Sequence, residues 1–389
     1  MTSETMTSQE RISAAIRLEK PDRVPIAILA TAAPFARIAG ITNAEFYSNA
    51  DKANDIIFQV FNECGGWDLD LGSLVSNSTM MTKVIMSLAL GLKLKYPGLD
   101  LPDDYAYQAH EQEVLTTEDY DVIAEVGWVK FMTEDYIFRI IDIRRNELNN
   151  ILNQVIPIFF KGKDEWARRG VVTMYPPTIF TCHPFFRLSL GRSMVRFTED
   201  LYYRPQMVEK ALKAMTREFI DTTINGCEMF GNHITLVVEE RASCFFYPPR
   251  IFERFWWPYT EEIVNALWSK GIVTWFHLDT NWDKNIPYFK RLPRGSCVLA
   301  LDGTSDIFAA REAMRDHACL CGDVQASLLS LGTPEDVESY CKKLIDEVGD
   351  GGGFILSSGC ELPAAIKLEN LQAMIRTGKT YEFSMHSRS

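Results

Sequence analysis

A chain of 389 residues with 47% hydrophobic and 12% aromatic content can bury a large core, which makes a soluble globular protein the default class. The 40 Lys and Arg against 52 Asp and Glu leave a formal net charge of −12, which repels nucleic acid and anionic membrane surfaces and argues against both as partners. The opening Met1-Thr2-Ser3-Glu4-Thr5 lacks a signal-peptide pattern and no run approaches the ~20 apolar residues of a membrane span, so the expected home is the cytoplasm.

Short apolar β-rich runs alternate with longer amphipathic stretches, the pattern of repeated β/α units around a parallel sheet. In chain order the predicted strands are residues 24–30, 67–72, 171–175, 234–239, 273–277, 297–302, 318–322 and 353–357. Eight strands are what a closed barrel requires, and no low-complexity linker divides the chain. The expected fold is therefore α/β, a (β/α)8 TIM barrel spanning residues 1–389 as one domain. The interval at about 75–168 exceeds one β/α unit and is read as an insertion over the barrel, with strand-like pieces at 126–132 and 136–141. Near the C-terminus, Thr333-Pro334-Glu335-Asp336 reads as a capped helix start. Val337, Tyr340, Leu344 and Val348 continue it at helical spacing.

Nine cysteines, odd in number and without paired spacings, read as reduced thiols. In Cys319-Leu320-Cys321 strand alternation points both thiols to one side, where packing as small apolar groups is the simplest role.

In barrels of this kind the C-terminal strand ends face the active site. Here they supply Glu239-Glu240, His277-Leu278-Asp279, Asp302, Asp323 and the run Ser358-Gly359-Cys360-Glu361. His277 and Asp279, two apart on extended chain, point the same way. With Cys360 they offer an imidazole, a carboxylate and a thiolate, a donor set that suits catalytic zinc with an exchangeable position. The alternative is a histidine in a satisfied polar pocket and a cysteine buried for packing. Alternation lets only one of Glu239 and Glu240 look into the pocket, as a general acid or ligand with a raised pKa, while the other serves as a structural partner.

The aromatic loop from Cys244 through Tyr247 to Trp257, with Phe185 and Phe186 after the third strand, is either core or an apolar substrate wall. Tyr247, Phe185 and Asp302 are the candidate substrate contacts. A phosphate-cradling loop, a zinc-protease His-Glu pair and a nucleophile-elbow serine are all missing. Gly349 to Gly353 precedes a strand, so it reads as a turn.

With these residues in hand, the sequence resembles the uroporphyrinogen decarboxylase-like superfamily from about residue 8 to residue 378. Four segments carry the likeness: Gln9-Glu10-Arg11-Ile12 through Lys20-Pro21-Asp22-Arg23-Val24-Pro25; Gly191-Arg192 to Pro205 with Asp200-Leu201-Tyr202; Gly322-Asp323-Val324 with Gly332-Thr333-Pro334; and Gly352 to Cys360 with Glu369-Asn370-Leu371. The arginine-bearing Gly-Arg-Tyr loop of the true decarboxylases has no counterpart in Ala30-Thr31-Ala32-Ala33-Pro34-Phe35-Ala36-Arg37. The chain looks closer to the corrinoid-dependent methyltransferase branch, whose thiol-methylating members hold zinc with a His-x-Cys pair and a later Cys. His277 matches that His and Cys360 the later Cys, while Asp279 stands at the middle Cys.

A carboxylate there makes a harder, more Lewis-acidic site than a thiolate. The resemblance then implies the first methyltransferase of an anaerobic aryl-ether O-demethylase. It would transfer methyl from a guaiacol or veratrole type ether to cob(I)alamin on a partner corrinoid protein. Zinc is expected at His277, Asp279 and Cys360, and Glu239, Glu240, His277 and Asp279 are the expected catalytic groups. A homodimer is compatible with the resemblance. The alternatives are another methyl donor, a thiol acceptor, decarboxylation of a tetrapyrrole, or a non-catalytic corrinoid-binding barrel.

Overall fold

The computed structural model describes residues 4–71, 78–174 and 181–381. Its strands are β1 (Ala27–Ile28), β2 (Leu69–Asp70), β3 (Lys93–Lys95), β4 (Gln108–His110), β5 (Val172–Thr173), β6 (Ile234–Glu239), β7 (Val273–Leu278), β8 (Cys297–Leu301), β9 (Cys319–Val324) and β10 (Phe354–Ser358). β1, β2 and β5 pair in parallel, as do β6 to β10 in sequence order, while β3 and β4 form a separate antiparallel pair. A parallel bridge between Ile26 and Leu356 joins β1 to β10, and one between Cys182 and Val238 joins the segment after β5 to β6. The eight parallel strands thus follow one another round a (β/α)8 barrel, matching the eight predicted runs. Gly72 and Tyr175, at the expected ends of the second and third, lie outside the described residues.

Strand alternation divides the core in two. Ala27, Leu69, Met174, Val273, Trp275, Val298, Ala300, Cys319, Cys321 and Ile355 meet in the barrel lumen, so the Cys319 and Cys321 side chains share one face and pack there. Their neighbours on the opposite face, including Phe276, Leu299 and Leu320, pack under the surrounding helices. The helix Pro334–Glu347 begins with the expected cap, a reciprocal pair between Thr333 and Asp336.

The interval between β2 and β5 departs from expectation. The segments 126–132 and 136–141 are helical, forming Trp128–Phe131, a π-turn Met132–Tyr136 and Ile137–Ile140. Buried Trp128, Phe131, Met132, Tyr136, Ile137 and Ile140 recur at helical spacings, and packing of Trp128–Phe131 against the helix Pro205–Phe230 and of Ile137–Ile140 against the helix Thr79–Leu90 outweighs the strand propensity of the individual residues. No helix among the described residues is long and apolar enough to cross a membrane.

The helix Ser8–Ile16 lies across the N-terminal end of the barrel, with Ile12, Ala15 and Ile16 joining the lumen cluster. It is fixed there by Asp68, just before β2. Arg11 Nη1 donates to Asp68 Oδ1 at 2.7 Å, Arg23 Nη1 to Oδ2 at 2.7 Å, and the Ile26 backbone N–H to Oδ2 at 2.9 Å. Burial alone would raise the Asp68 pKa, but the two guanidinium groups outweigh it and hold the carboxyl below its ordinary value. Removing one member of such a buried cluster strands opposite charges without solvent. Asp68→Ala is therefore expected to destabilise the protein by about 3–5 kcal/mol in urea titration; a loss below about 1 kcal/mol would show that the cluster contributes little.

Candidate active site

Trp275 points into the lumen from β7, so His277, two residues on, points to the same side at the C-terminal mouth. Cys360 reaches that mouth through the turn after β10. Gly359 makes the turn fit, because a Cβ there would lie 2.4 Å from the Asp302 carbonyl oxygen. His277 Nε2 lies 3.3 Å from Asp279 Oδ1 and 3.4 Å from Cys360 Sγ. One ligand atom from each of the three residues falls within 4.8 Å of the other two.

Burial disfavours a charged imidazole, yet the Asp279 carboxylate and the Cys360 sulfur outweigh it and raise the His277 pKa well above its ordinary value. For Asp279 burial acts upward, but His277 prevails and holds the carboxyl low. Burial pushes the Cys360 thiol up, with His277 opposing. Nitrogen, sulfur and oxygen converging from three side chains fit the mixed donor set of zinc, whose bonds run about 2.0–2.3 Å.

Alternation also separates the two glutamates. Ile234 and Leu236 of β6 pack on the lumen cluster, which places Glu240 on the pocket side and turns Glu239 outward. Glu239 is fully buried. Its Oε1 accepts the backbone N–H groups of Glu240, Arg241 and Ala242 at 3.0, 2.9 and 3.2 Å, and Oε2 accepts Trp256 Nε1–H at 2.7 Å. Burial pushes its pKa up to about 8 against these hydrogen bonds. Nearby His183 Nδ1 accepts the Phe185 N–H at 3.2 Å, and burial pushes the ring down to about 3, leaving it neutral. Glu239 is thus a brace for the turn that presents Glu240. Glu240 makes no side-chain hydrogen bond or ion pair among the described residues. Burial and the Asp279, Glu111 and Asp302 carboxylates raise its pKa, with Arg241 opposing.

Of the three expected substrate contacts, two are buried rings. Phe185 is fully buried, its ring 4.9 Å from Phe197 and 5.8 Å from Tyr247. Tyr247 is buried too, with its hydroxyl 2.8 Å from Thr198 Oγ1. Both rings pack against neighbouring side chains, the core alternative of the two readings, while the exposed rings of that loop are Phe245 and Phe246, in edge contact at 4.9 Å. Asp302 stays at the mouth as a loop brace, accepting Thr280 N–H at 2.8 Å and Thr304 N–H at 2.9 Å. Asp323 receives the Tyr340 hydroxyl at 2.8 Å; burial pushes it up to about 7.

One residue had drawn no role from sequence. Glu361, next to Cys360, accepts the Thr31 hydroxyl at 3.1 Å and the Tyr107 hydroxyl at 3.3 Å. Tyr107 comes from the interval between β2 and β5 and stacks on Tyr96 at 5.7 Å. Burial raises the Glu361 pKa, opposed by Thr31 and His277. The sequence signal was the carboxylate adjoining a candidate ligand at a strand end.

Fold and site together define a (β/α)8-barrel protein with a mixed-donor cluster at the carboxyl ends of its strands. Residues 188–381 match the model of the uroporphyrinogen decarboxylase (URO-D) family. Two proteins named methylcobamide:CoM methyltransferase MtbA, from Methanosarcina mazei and Methanosarcina acetivorans, are each 28% identical over 154 residues. That stretch is 39% of this chain and 43% of theirs, so the match spans less than half the length of these relatives. A uroporphyrinogen decarboxylase from Methylococcus capsulatus is 32% identical over 90 residues, 23% of this chain and 25% of its own. The solved structure of a methyltransferase from Methanosarcina mazei shares the fold, with a TM-score of 0.67 at 17% identity, covering 96% of this chain and 98% of that one.

Protein purified without chelator is expected to carry about one zinc per chain, the stoichiometry of a mononuclear site. Elemental analysis of His277→Ala and Cys360→Ala should find the ion lost from each. Full metal content in both variants would rule the cluster out as its holder.

Proposed function

We propose that this protein is a corrinoid-linked methyltransferase of the cytoplasm that removes the methyl group of a phenyl methyl ether, of guaiacol or veratrole type, and passes it to cob(I)alamin on a partner corrinoid protein. The observation that carries this reading is the convergence of His277, Asp279 and Cys360 at the barrel mouth, with an oxygen donor where thiol-methylating enzymes would place a second sulfur. The methyltransferase names of two partial relatives support the reaction class. Nine free cysteines fit a reducing compartment.

The chemistry falls on the departing oxygen. As the acceptor's electron pair forms the new bond to carbon, the C–O pair stays with oxygen, and a phenolate whose conjugate acid has a pKa of about 10 leaves poorly unless it is protonated or bound. His277, Asp279 and Cys360 are the residues that would hold zinc, which when bound supplies a Lewis acid. Glu240 faces the pocket with a raised pKa, so it stays protonated to higher pH than an ordinary glutamate and can hand its proton to the oxygen. Glu239 fixes the turn that aims it, and the barrel walls set the ether in line for attack.

A second reading is methyl transfer to a thiol, which the names of the two MtbA relatives favour. Asp279 counts against it, because a second thiolate better suits activation of a bound thiol. Under anaerobic, reducing conditions, guaiacol or veratrole with cob(I)alamin is expected to yield the free phenol and methylcobalamin, followed by the corrinoid spectrum. Glu240→Gln should lower kcat at least about 10-fold with a smaller change in KM, as expected when a group acts only on the leaving oxygen. Thiol methylation from methylcobalamin, with no phenol from any methoxyarene, would replace this reading by the second.

A further inference from the structure

We propose that Thr280 and Asp302 are positioning residues for a metal ion held by His277, Asp279 and Cys360, with the Asp302 carboxylate locking Thr280 in a strained turn that fixes where the Asp279 side chain stands. This rests on the metal reading of the cluster and is independent of which methyl donor the protein uses.

The first observation is backbone strain beside the cluster. Thr280 directly follows Asp279 and has a φ of 71°, in the left-handed region, which disfavours L side chains and β-branched ones most. The other non-glycine residues with positive φ among the described residues are Leu18, Ser193 and Asp316, none of them β-branched or next to a cluster residue in the chain. Such a conformation persists only where the surroundings over-determine it.

The second observation is what enforces it. The Thr280 N–H donates to Asp302 Oδ2 at 2.8 Å, its hydroxyl donates to the Glu240 carbonyl oxygen at 3.1 Å, and its carbonyl oxygen accepts the Ser305 hydroxyl at 3.3 Å. A hydroxyl has one proton to give, so the Ser243 hydroxyl, 3.0 Å away, is the donor to Thr280 Oγ1. These bonds tie the end of β7 to the turn after β6 and to the loop after β8. Asp302 is not free to follow a shifted Thr280, because its Oδ1 accepts the Thr304 N–H at 2.9 Å and the Thr304 hydroxyl at 2.6 Å. Asp279 is held at both backbone groups, its N–H on the Glu239 carbonyl oxygen at 3.2 Å and its carbonyl oxygen on Trp282 Nε1–H at 2.8 Å.

The Asp302 backbone meets the third member of the cluster as well. Its carbonyl oxygen lies against Gly359, where an added Cβ would come within 2.4 Å, and Gly359 makes the turn that delivers Cys360. One residue thus borders both Asp279 and Cys360, through its side chain on one hand and its backbone on the other. A metal binds well only when its donors stand at set distances, and groups that orient the donors are worth about 10–100-fold in affinity.

The experiment measures zinc affinity by chelator competition and donor geometry by the visible absorption bands of the cobalt(II)-substituted protein. Thr280→Gly relieves the strain and removes the hydroxyl, so the chain folds without enforcing the turn; zinc is expected to bind at least about 10-fold more weakly, with altered cobalt bands. Asp302→Ala should do the same, while Thr280→Ser, which keeps the hydroxyl, should match the unmodified protein in both readouts. Affinity weakened less than about 3-fold, short of the range for such groups, with unchanged cobalt bands in both Thr280→Gly and Asp302→Ala overturns the inference and leaves the metal assignment standing. An equal loss in Thr280→Ser also overturns it. An unmodified protein that binds neither ion overturns the inference together with the metal assignment.

Discussion

The carboxylate of Asp68 is the tie on which the barrel's geometry rests. β1 and β2 are only two residues long each, so their ladder contributes few hydrogen bonds. Asp68 collects Ser8, Arg11, Arg23 and the Ile26 N–H on two oxygens. One buried group thereby fastens the N-terminal helix, the entry to β1 and the entry to β2. Ile12, Ala15 and Ile16 can then plug the lumen at that end. Access is left to the opposite end, where the strands finish, and that is where the donor cluster forms.

Much of this was legible in the chain because a parallel barrel buries both faces of its strands, and strands of that kind read as short apolar runs. The same property explains the misreading at 126–132 and 136–141. A fully packed helix is also a dense apolar run over a short window, and length and turn signals do not separate the two there. The spacing of Trp128, Phe131, Met132 and Tyr136 was helical all along, but Val129, Tyr136, Ile137 and Ile140 have the residue character of a strand.

The site was legible to the same depth. Period-two alternation was enough to place His277 and Asp279 together and to say that Glu239 and Glu240 diverge; the sense of the divergence waited for β6, where Ile234 and Leu236 mark the lumen side. The aromatic loop shows the limit. Residue type does not tell a buried ring from an exposed one, and Tyr247 and Phe185 are buried while Phe245 and Phe246 are exposed. The contact of Tyr107 with Glu361 joins residues 254 apart in sequence, and nothing local announces it.

The position of Asp279 links fold to chemistry most directly. Alternation forces the residue two beyond His277 to share its side, so the choice of side chain at that place sets the character of the cluster without altering the barrel. With a second sulfur the cluster would be softer and more electron-rich, suited to raising the nucleophilicity of a bound thiolate. With oxygen, a metal held there would draw electron density more strongly, which suits a group that must accept charge as a bond breaks. The surroundings agree with the second use. Burial and neighbouring acids raise the pKa of Glu240 beside the cluster, and Glu239, spent on three backbone N–H groups and one indole, braces the turn that carries it. Two adjacent carboxyl groups of identical chemistry thus divide into a buried brace and a pocket-facing group because a strand gives them opposite faces.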